Sequence, residues 1–314
     1  MADTPDLGHG RVVVITGGAR GIGRADALLF AEHGFRVVVN DLGSERDGAR
    51  PSSDPAEEVA AEIRAAGGEA IANGEDIADF DGARRVIEAA LAEWGQLDVV
   101  VNNAGILRDR MLTNMSIEEW DDVIRVHLRG TFCMSRHAAA HWRDRSKTGD
   151  DVDARLINTT STSGVFGNVG QTNYGAAKAA IASFTIIASE ELARYGVTVN
   201  AICPVAHTRM TDDRPIGDTV RRVQAEDPGA FNMYDPANVA SVVVWLATDA
   251  ARGVTGRVIE SRGSIVRVLE GWTRGPEADK GARWDVTELD AVLPKLIDDA
   301  APVLTVSSQR ASQQ

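Results

Sequence analysis

From Arg11 onward, short runs of β-branched residues alternate with segments whose apolar positions recur at helical spacing. The runs predict strands at Val12 to Ile15, Arg36 to Asn40, Glu69 to Asn73, Leu97 to Val101, Ala154 to Thr159, Thr198 to Ile202 and Arg257 to Glu260. Between them, Glu57 to Ala66 sets Val59, Ala60 and Ile63 on one stripe. Ala83 to Trp94 does the same with Val86, Ile87, Ala90 and Leu91. Strands that take turns with amphipathic helices are repeated βαβ units. The expectation is an α/β fold: a doubly wound parallel sheet of about seven strands with helices on both faces.

Two stretches break the rhythm. Leu42 to Pro55 is rich in Gly, Ser, Pro and charge and reads as a long surface loop. After Glu260 more than fifty residues remain, with an apolar-patterned Leu289 to Ile297 and a polar, frayed end SSQRASQQ. The division expected is one large domain over residues 1–264. A C-terminal extension, 265–314, would pack on that domain or on a partner subunit.

Composition narrows the class. Apolar runs such as Val37 to Val39 and Val99 to Val101 fall far short of the ~20 residues of a membrane helix, so no span is expected. MADTPDLGHGR lacks the basic and apolar regions of a secretory signal, which predicts a cytoplasmic protein. A net charge of −13 argues against nucleic acid as a partner. Cys133 and Cys203 lie in apolar stretches without metal-ligand spacing, so buried thiols and no metal are expected.

The candidate chemistry begins with Thr16-Gly17-Gly18-Ala19-Arg20-Gly21-Ile22-Gly23, which follows the first strand and opens a helix near Gly21. A glycine turn at that place lets backbone N–H groups and the helix N-terminus approach a pyrophosphate. Asp41 closes the second strand, where a carboxylate can accept from both hydroxyls of an adenosine ribose. That favours NAD over NADP. A carboxylate about 5 Å from a 2′-phosphate dianion costs roughly 2 to 6 kcal/mol, of which Arg20 would offset part. Asp76 and Ile77, after the third strand, are placed to meet the adenine edge. At the end of the fourth strand Asn103, Ala104 and Gly105 leave room for a cofactor.

Farther on stand Ser161, just past the ARLINTT strand, and Tyr174 with Lys178 four residues later. TGGARGIG, Asn102-Asn103-Ala104-Gly105, Ser161 and the Tyr174/Lys178 pair together resemble the short-chain dehydrogenase/reductase family, over residues 10 to 265. The resemblance implies a Rossmann-type fold in which Ser161 orients the reacting oxygen. Tyr174 then exchanges its proton, and Lys178 holds the nicotinamide ribose. The chemistry calls for such residues. A free tyrosine, pKa ~10, is a poor base at neutral pH, and an ammonium some 4 Å away supplies ~4 kcal/mol at an effective dielectric of ~20. Burial of the lysine opposes this. Ser163 is the competing hydroxyl; the spacing to Tyr174 favours Ser161.

Longer phrases narrow the resemblance: VVVNDLG, NNAGILRDRM, RVHLRGTF, GVFGNVGQTNYGAAK and PVAHTRMT. They are similar to the (3R)-hydroxyacyl-CoA dehydrogenase region of peroxisomal multifunctional enzyme type 2 and its bacterial relatives. This implies NAD-dependent oxidation of a 3-hydroxyacyl-CoA, of fatty or steroid side chains, by a homodimer or else a tetramer. Two positions depart from the wider family. His127 replaces an asparagine that helps to hold a relay water, and is open to that role or to plain packing. Pro204-Val205-Ala206-His207-Thr208 lacks the usual glycine after proline, so Pro204 and Thr208 are carried over as cofactor contacts on a shorter loop. The alternatives are a hydroxysteroid dehydrogenase, a 3-oxoacyl reductase and, in another class, a noncatalytic nucleotide sensor.

Overall fold

The computed structural model describes residues 4–43, 55–208, 212, 215–227 and 229–306. The elements are β1 (Val12–Thr16), α1 (Gly21–Glu32), β2 (Arg36–Asn40), α2 (Pro55–Ala65), β3 (Glu69–Asn73), α3 (Phe80–Trp94) and β4 (Val99–Asn102). Then come α4 (Ile117–Ile124), α5 (Gly130–Lys147), β5 (Ala154–Thr159), α6 (Thr162–Phe166), α7 (Thr172–Leu192) and β6 (Val197–Pro204). The chain continues through α8 (Pro215–Glu226), α9 (Pro236–Ala247), β7 (Val258–Arg262), β8 (Ile265–Leu269) and α10 (Val286–Asp299).

Among the described residues the sheet runs in the order β3-β2-β1-β4-β5-β6-β7-β8. Every pairing is parallel except the last, β7 with β8. Strand β1 lies between β2 and β4, so the winding reverses there and leaves a crevice at the carboxyl ends, where such sheets take ligands. The expectation of about seven strands is therefore corrected to eight. Ile265–Leu269 reverses at Gly263, where φ is +56°, and zips back along β7. Its Val266 and Val268 are exposed, so the strand carries no buried-run signal.

Alternation along each strand feeds two cores. Val13, Ile15, Val37 and Val39 meet Ala27 and Phe30 of α1, Val59 and Ile63 of α2 and Val243 of α9. Val12, Val14, Val38 and Val100 meet Val86 and Ile87 of α3 and Met134 and Trp142 of α5. Each such side chain contributes about 1.5 to 3 kcal/mol through burial, so a one-residue slip would put the wrong set on each face. Cys133 and Cys203 are both buried, and burial raises both thiol pKa values.

The strand and helix positions agree with the sequence pattern to within a few residues. Of the long loop, Pro55 opens α2, while residues 44–54 lie outside the described residues. The apolar stripe of the tail forms α10, begun by a reciprocal cap between Asp285 and Glu288. Its Leu289, Val292 and Leu296 are half-buried, whereas Leu293 and Ile297 are exposed. No helix among the described residues is long and apolar enough to cross a membrane.

Candidate active site

The glycine turn between β1 and α1 holds its shape by close approach to the loop after β4. Gly17 (φ +64°) has no room for a Cβ, which would come 2.8 Å from the Ala104 Cα. A Cβ on Gly23 would run into the Gly17 carbonyl oxygen and the Asn103 amide. Asn103 Nδ2 donates to the carbonyls of Thr16 and Gly17 at 3.0 and 3.1 Å. Thr16 Oγ1 accepts from the backbone N–H groups of Asn103 and Ala104 at 3.0 and 3.1 Å. Asn103 and Ala104 thus act on the turn itself.

Gly21 (φ +54°) starts α1, and a Cβ there would lie 3.2 Å from Thr208 Cγ2, so Thr208 stands over the helix N-terminus. Arg20 occupies the N-cap but makes no side-chain bond to the first turn, and Ile22 packs on the core. Left-handed glycines, N–H groups without a side-chain cap and an overhanging loop from Pro204, at the end of β6, form a cradle that fits a dinucleotide pyrophosphate. Asp41 follows β2 directly. Its carboxylate accepts from Ala19 N at 3.2 Å and Gly43 N at 2.9 Å, which ties the strand end to the glycine turn. Asp76 accepts from Ala78 N at 2.8 Å and pairs with Arg125, while Ile77 is buried against Gly130. Asp76 is therefore engaged within the protein at the rim of the same edge.

Ser161, two residues beyond β5, is the N-cap of α6 and is 9% exposed; its Oγ accepts from Ser163 N at 3.2 Å. Tyr174 and Lys178 lie one turn apart on α7, with Lys178 Nζ 5.7 Å from the centre of the Tyr174 ring. Lys178 is buried, and its Nζ donates to the Thr159 carbonyl at the end of β5 at 2.6 Å. In return Thr160 Oγ1 donates to the Lys178 carbonyl at 2.7 Å. Gly164 lets α6 and α7 touch, since a Cβ there would meet the Lys178 backbone at 2.6 Å. The structure thus places Ser161, Tyr174 and Lys178 at one sheet edge. Burial lowers the Lys178 pKa from 10.5 to about 7.

His127 sits in a π-helical turn, Arg125–Arg129, between α4 and α5. Its ring meets the Tyr174 ring edge-on, with centroids 5.1 Å apart, and its Nε2 is 2.8 Å from the Ile106 carbonyl. Its Nδ1 is buried with no hydrogen bond among the described residues. Burial first, then the Lys178 charge, lowers its pKa to about 3, so the imidazole is neutral. Gly105 answers to this ring: a Cβ there would collide with His127 Cε1. The sequence reading missed Gln171 and Asp109. Gln171 is buried at the N-cap of α7 and bonded to both Asp109 and Ser163; its only signal was a polar residue ahead of Tyr174 in GQTNY.

A doubly wound sheet, a glycine cradle at its switch point and a buried lysine beside a tyrosine on the next edge define the class, a dinucleotide-binding α/β oxidoreductase. Residues 11–216 match the short chain dehydrogenase family, and the chain belongs to it. Members act on a CH–OH group and generally use NAD(P). The hydroxyacyl-CoA dehydrogenase ChsB1 of Mycobacterium tuberculosis is 46% identical over 295 residues, 93% of this chain and 89% of that one. The mouse peroxisomal multifunctional enzyme type 2 is 38% identical over 263 residues, 84% of this chain but 32% of that longer one. A crystal structure of a short chain dehydrogenase from Mycobacterium avium superposes with a TM-score of 0.84 at 49% identity. It covers 97% of this chain and 99% of that chain.

Proposed function

We propose that this protein oxidises a 3-hydroxyacyl-CoA to the 3-ketoacyl-CoA with NAD, working as a homodimer in the cytoplasm. The observation that carries the chemistry is the joint placement of Tyr174 and Lys178 over the end of β5, beside Ser161. The substrate class rests on the hydroxyacyl-CoA dehydrogenase relative, which matches nearly the whole chain. The cofactor rests on Asp41, whose carboxylate at the end of β2 would meet the adenosine ribose and repel a 2′-phosphate.

The cofactor when bound supplies the hydride acceptor, and the hydride comes from C3 of the substrate. Tyr174 takes the hydroxyl proton through its phenol oxygen. Ser161 donates to the same substrate oxygen and stabilises the charge that gathers there. Lys178, holding the ribose, favours the phenolate: an ammonium 5.7 Å from the ring centre contributes about 3 kcal/mol at an effective dielectric of ~20. Burial draws the lysine's own pKa down to about 7, so part of that ammonium charge is lost at neutral pH and the effect on the phenol is smaller by that share.

Purified enzyme should reduce NAD fastest with 3-hydroxyacyl-CoA substrates when NADH absorbance is followed across acyl-CoA, acyl-carrier and free steroid alcohols. Tyr174→Phe should lose about two to four orders of magnitude in kcat with NAD affinity retained. A preference for steroid or acyl-carrier substrates would overturn the substrate assignment. Near-native turnover by Tyr174→Phe would overturn the mechanism.

A further inference from the structure

Asn173 stands immediately before Tyr174 in the first turn of α7 and is fully buried. Its Nδ2 donates to the carbonyl oxygens of Arg108 and Glu119, both at 3.0 Å, and its Oδ1 accepts from the Tyr174 backbone N–H at 2.7 Å. Carbonyls can only accept and a backbone N–H can only donate, so these partners leave the amide one orientation. The Tyr174 N–H is among the first-turn donors that a helix cannot satisfy by itself, and Gln171 at the N-cap gives that turn no side-chain bond. Asn173 supplies the acceptor.

Arg108 lies on the loop that leaves β4. At the near end of this loop Asn103 and Ala104 are bonded to Thr16 of the glycine turn, and midway the Ile106 backbone meets the His127 ring. The two residues after Arg108 are tied to the chain just ahead of α7: Asp109 accepts from Gln171 Nε2 at 2.9 Å, and Arg110 N donates to Gly170 O at 2.8 Å. Glu119 belongs to α4, so the same amide holds a third element. One loop therefore connects the glycine cradle to the helix that carries the acid/base, and Asn173 is the joint bonded to Tyr174 itself.

We infer that Asn173 is a positioning residue: by pinning the first turn of α7 to this loop, it sets the reach of the Tyr174 phenol oxygen to a substrate held against the cofactor. The inference rests on the role given to Tyr174 above. Asn173 is fully buried, so it acts through Tyr174 and not on the substrate.

Asn173→Ala removes all three bonds. Asn173→Ser keeps an oxygen beside the Tyr174 N–H but is too short to reach both carbonyls. Each should lower kcat about tenfold or more on the best substrate of the panel, with KM and the Kd of NADH changed less than about threefold. The deciding measurement is made in the Tyr174→Phe background, where no phenol remains to be positioned. There Asn173→Ala should leave the residual kcat within about threefold of Tyr174→Phe alone, because two substitutions that act on one step do not add. Native kcat in both Asn173 variants overturns the inference. So does a loss of the same size with and without the phenol, or a joint loss of NADH binding and kcat, either of which assigns Asn173 to the fold at large. Near-native turnover by Tyr174→Phe itself sinks the mechanism instead, whereas a large loss there beside unaffected Asn173 variants sinks only the inference.

Discussion

Asp41 and His127 show how single side chains could set cofactor choice and acid stability. If the Asp41 carboxylate faces the ribose, Asp41→Ala should weaken NAD, because charge-assisted bonds of roughly 1.5 to 3 kcal/mol each are lost. NADP should gain, since the 2′-phosphate is no longer repelled and Arg20 can pair with it; Arg46 and Arg50, two further cations in the sequence, lie outside the described residues. The ratio of kcat/KM for the two cofactors should cross from NAD to NADP, and an unchanged ratio would remove Asp41 from the ribose. His127 carries a sign as well. Its pKa is about 3 in the folded chain against 6.5 in the unfolded one, so between those values only the unfolded state binds the proton. The stability tied to its neutral ring is fully present above 6.5 and is lost as the pH falls toward 3, by up to about 1.4 kcal/mol per unit. His127→Gln should flatten that slope relative to the native chain in urea melts at descending pH. Equal slopes would mean that the imidazole is not held neutral.

Among the elements, β8 was the one the pattern could not show. Strand prediction relies on buried runs or strict alternation, and an edge strand with Val266 and Val268 facing solvent offers neither. Its position has a testable consequence. Deletion of residues 265–314 strips the cover from β7 and leaves an unpaired edge, whereas deletion of 270–314 keeps the edge paired. The longer deletion should aggregate or melt lower. The shorter one should stay soluble and, if α10 contributes to the homodimer proposed above, lose that assembly's mass by light scattering. Identical melting and mass for both truncations would show that neither segment covers anything. The π-helical turn at Arg125–Arg129 was likewise not read from the pattern, because a single wide turn of five residues is too short to show a period of its own. It is the turn that carries His127 to the Tyr174 ring.

At the scale of the whole molecule, residue order alone determined the alternation of strands and helices and the site of the glycine turn. It also put Ser161 just past a strand and Lys178 four residues after Tyr174. These features are local: periods of two and 3.6, and glycines where the backbone needs a positive φ, are written in neighbouring residues. Tertiary structure decided what depends on chain segments that meet from far apart. It paired Asp109 with Gln171 across 62 positions and set the Gly105 backbone against His127, giving that glycine a reason that no motif contains. It also buried Lys178 deeply enough to lower its pKa and left Asp26 of α1 wholly enclosed, its carboxyl pushed well above the usual range by desolvation. Burial, the direction of a hydrogen bond and the pKa that follows are properties of surroundings, and a side chain's surroundings exist only once the sheet has brought its edges together.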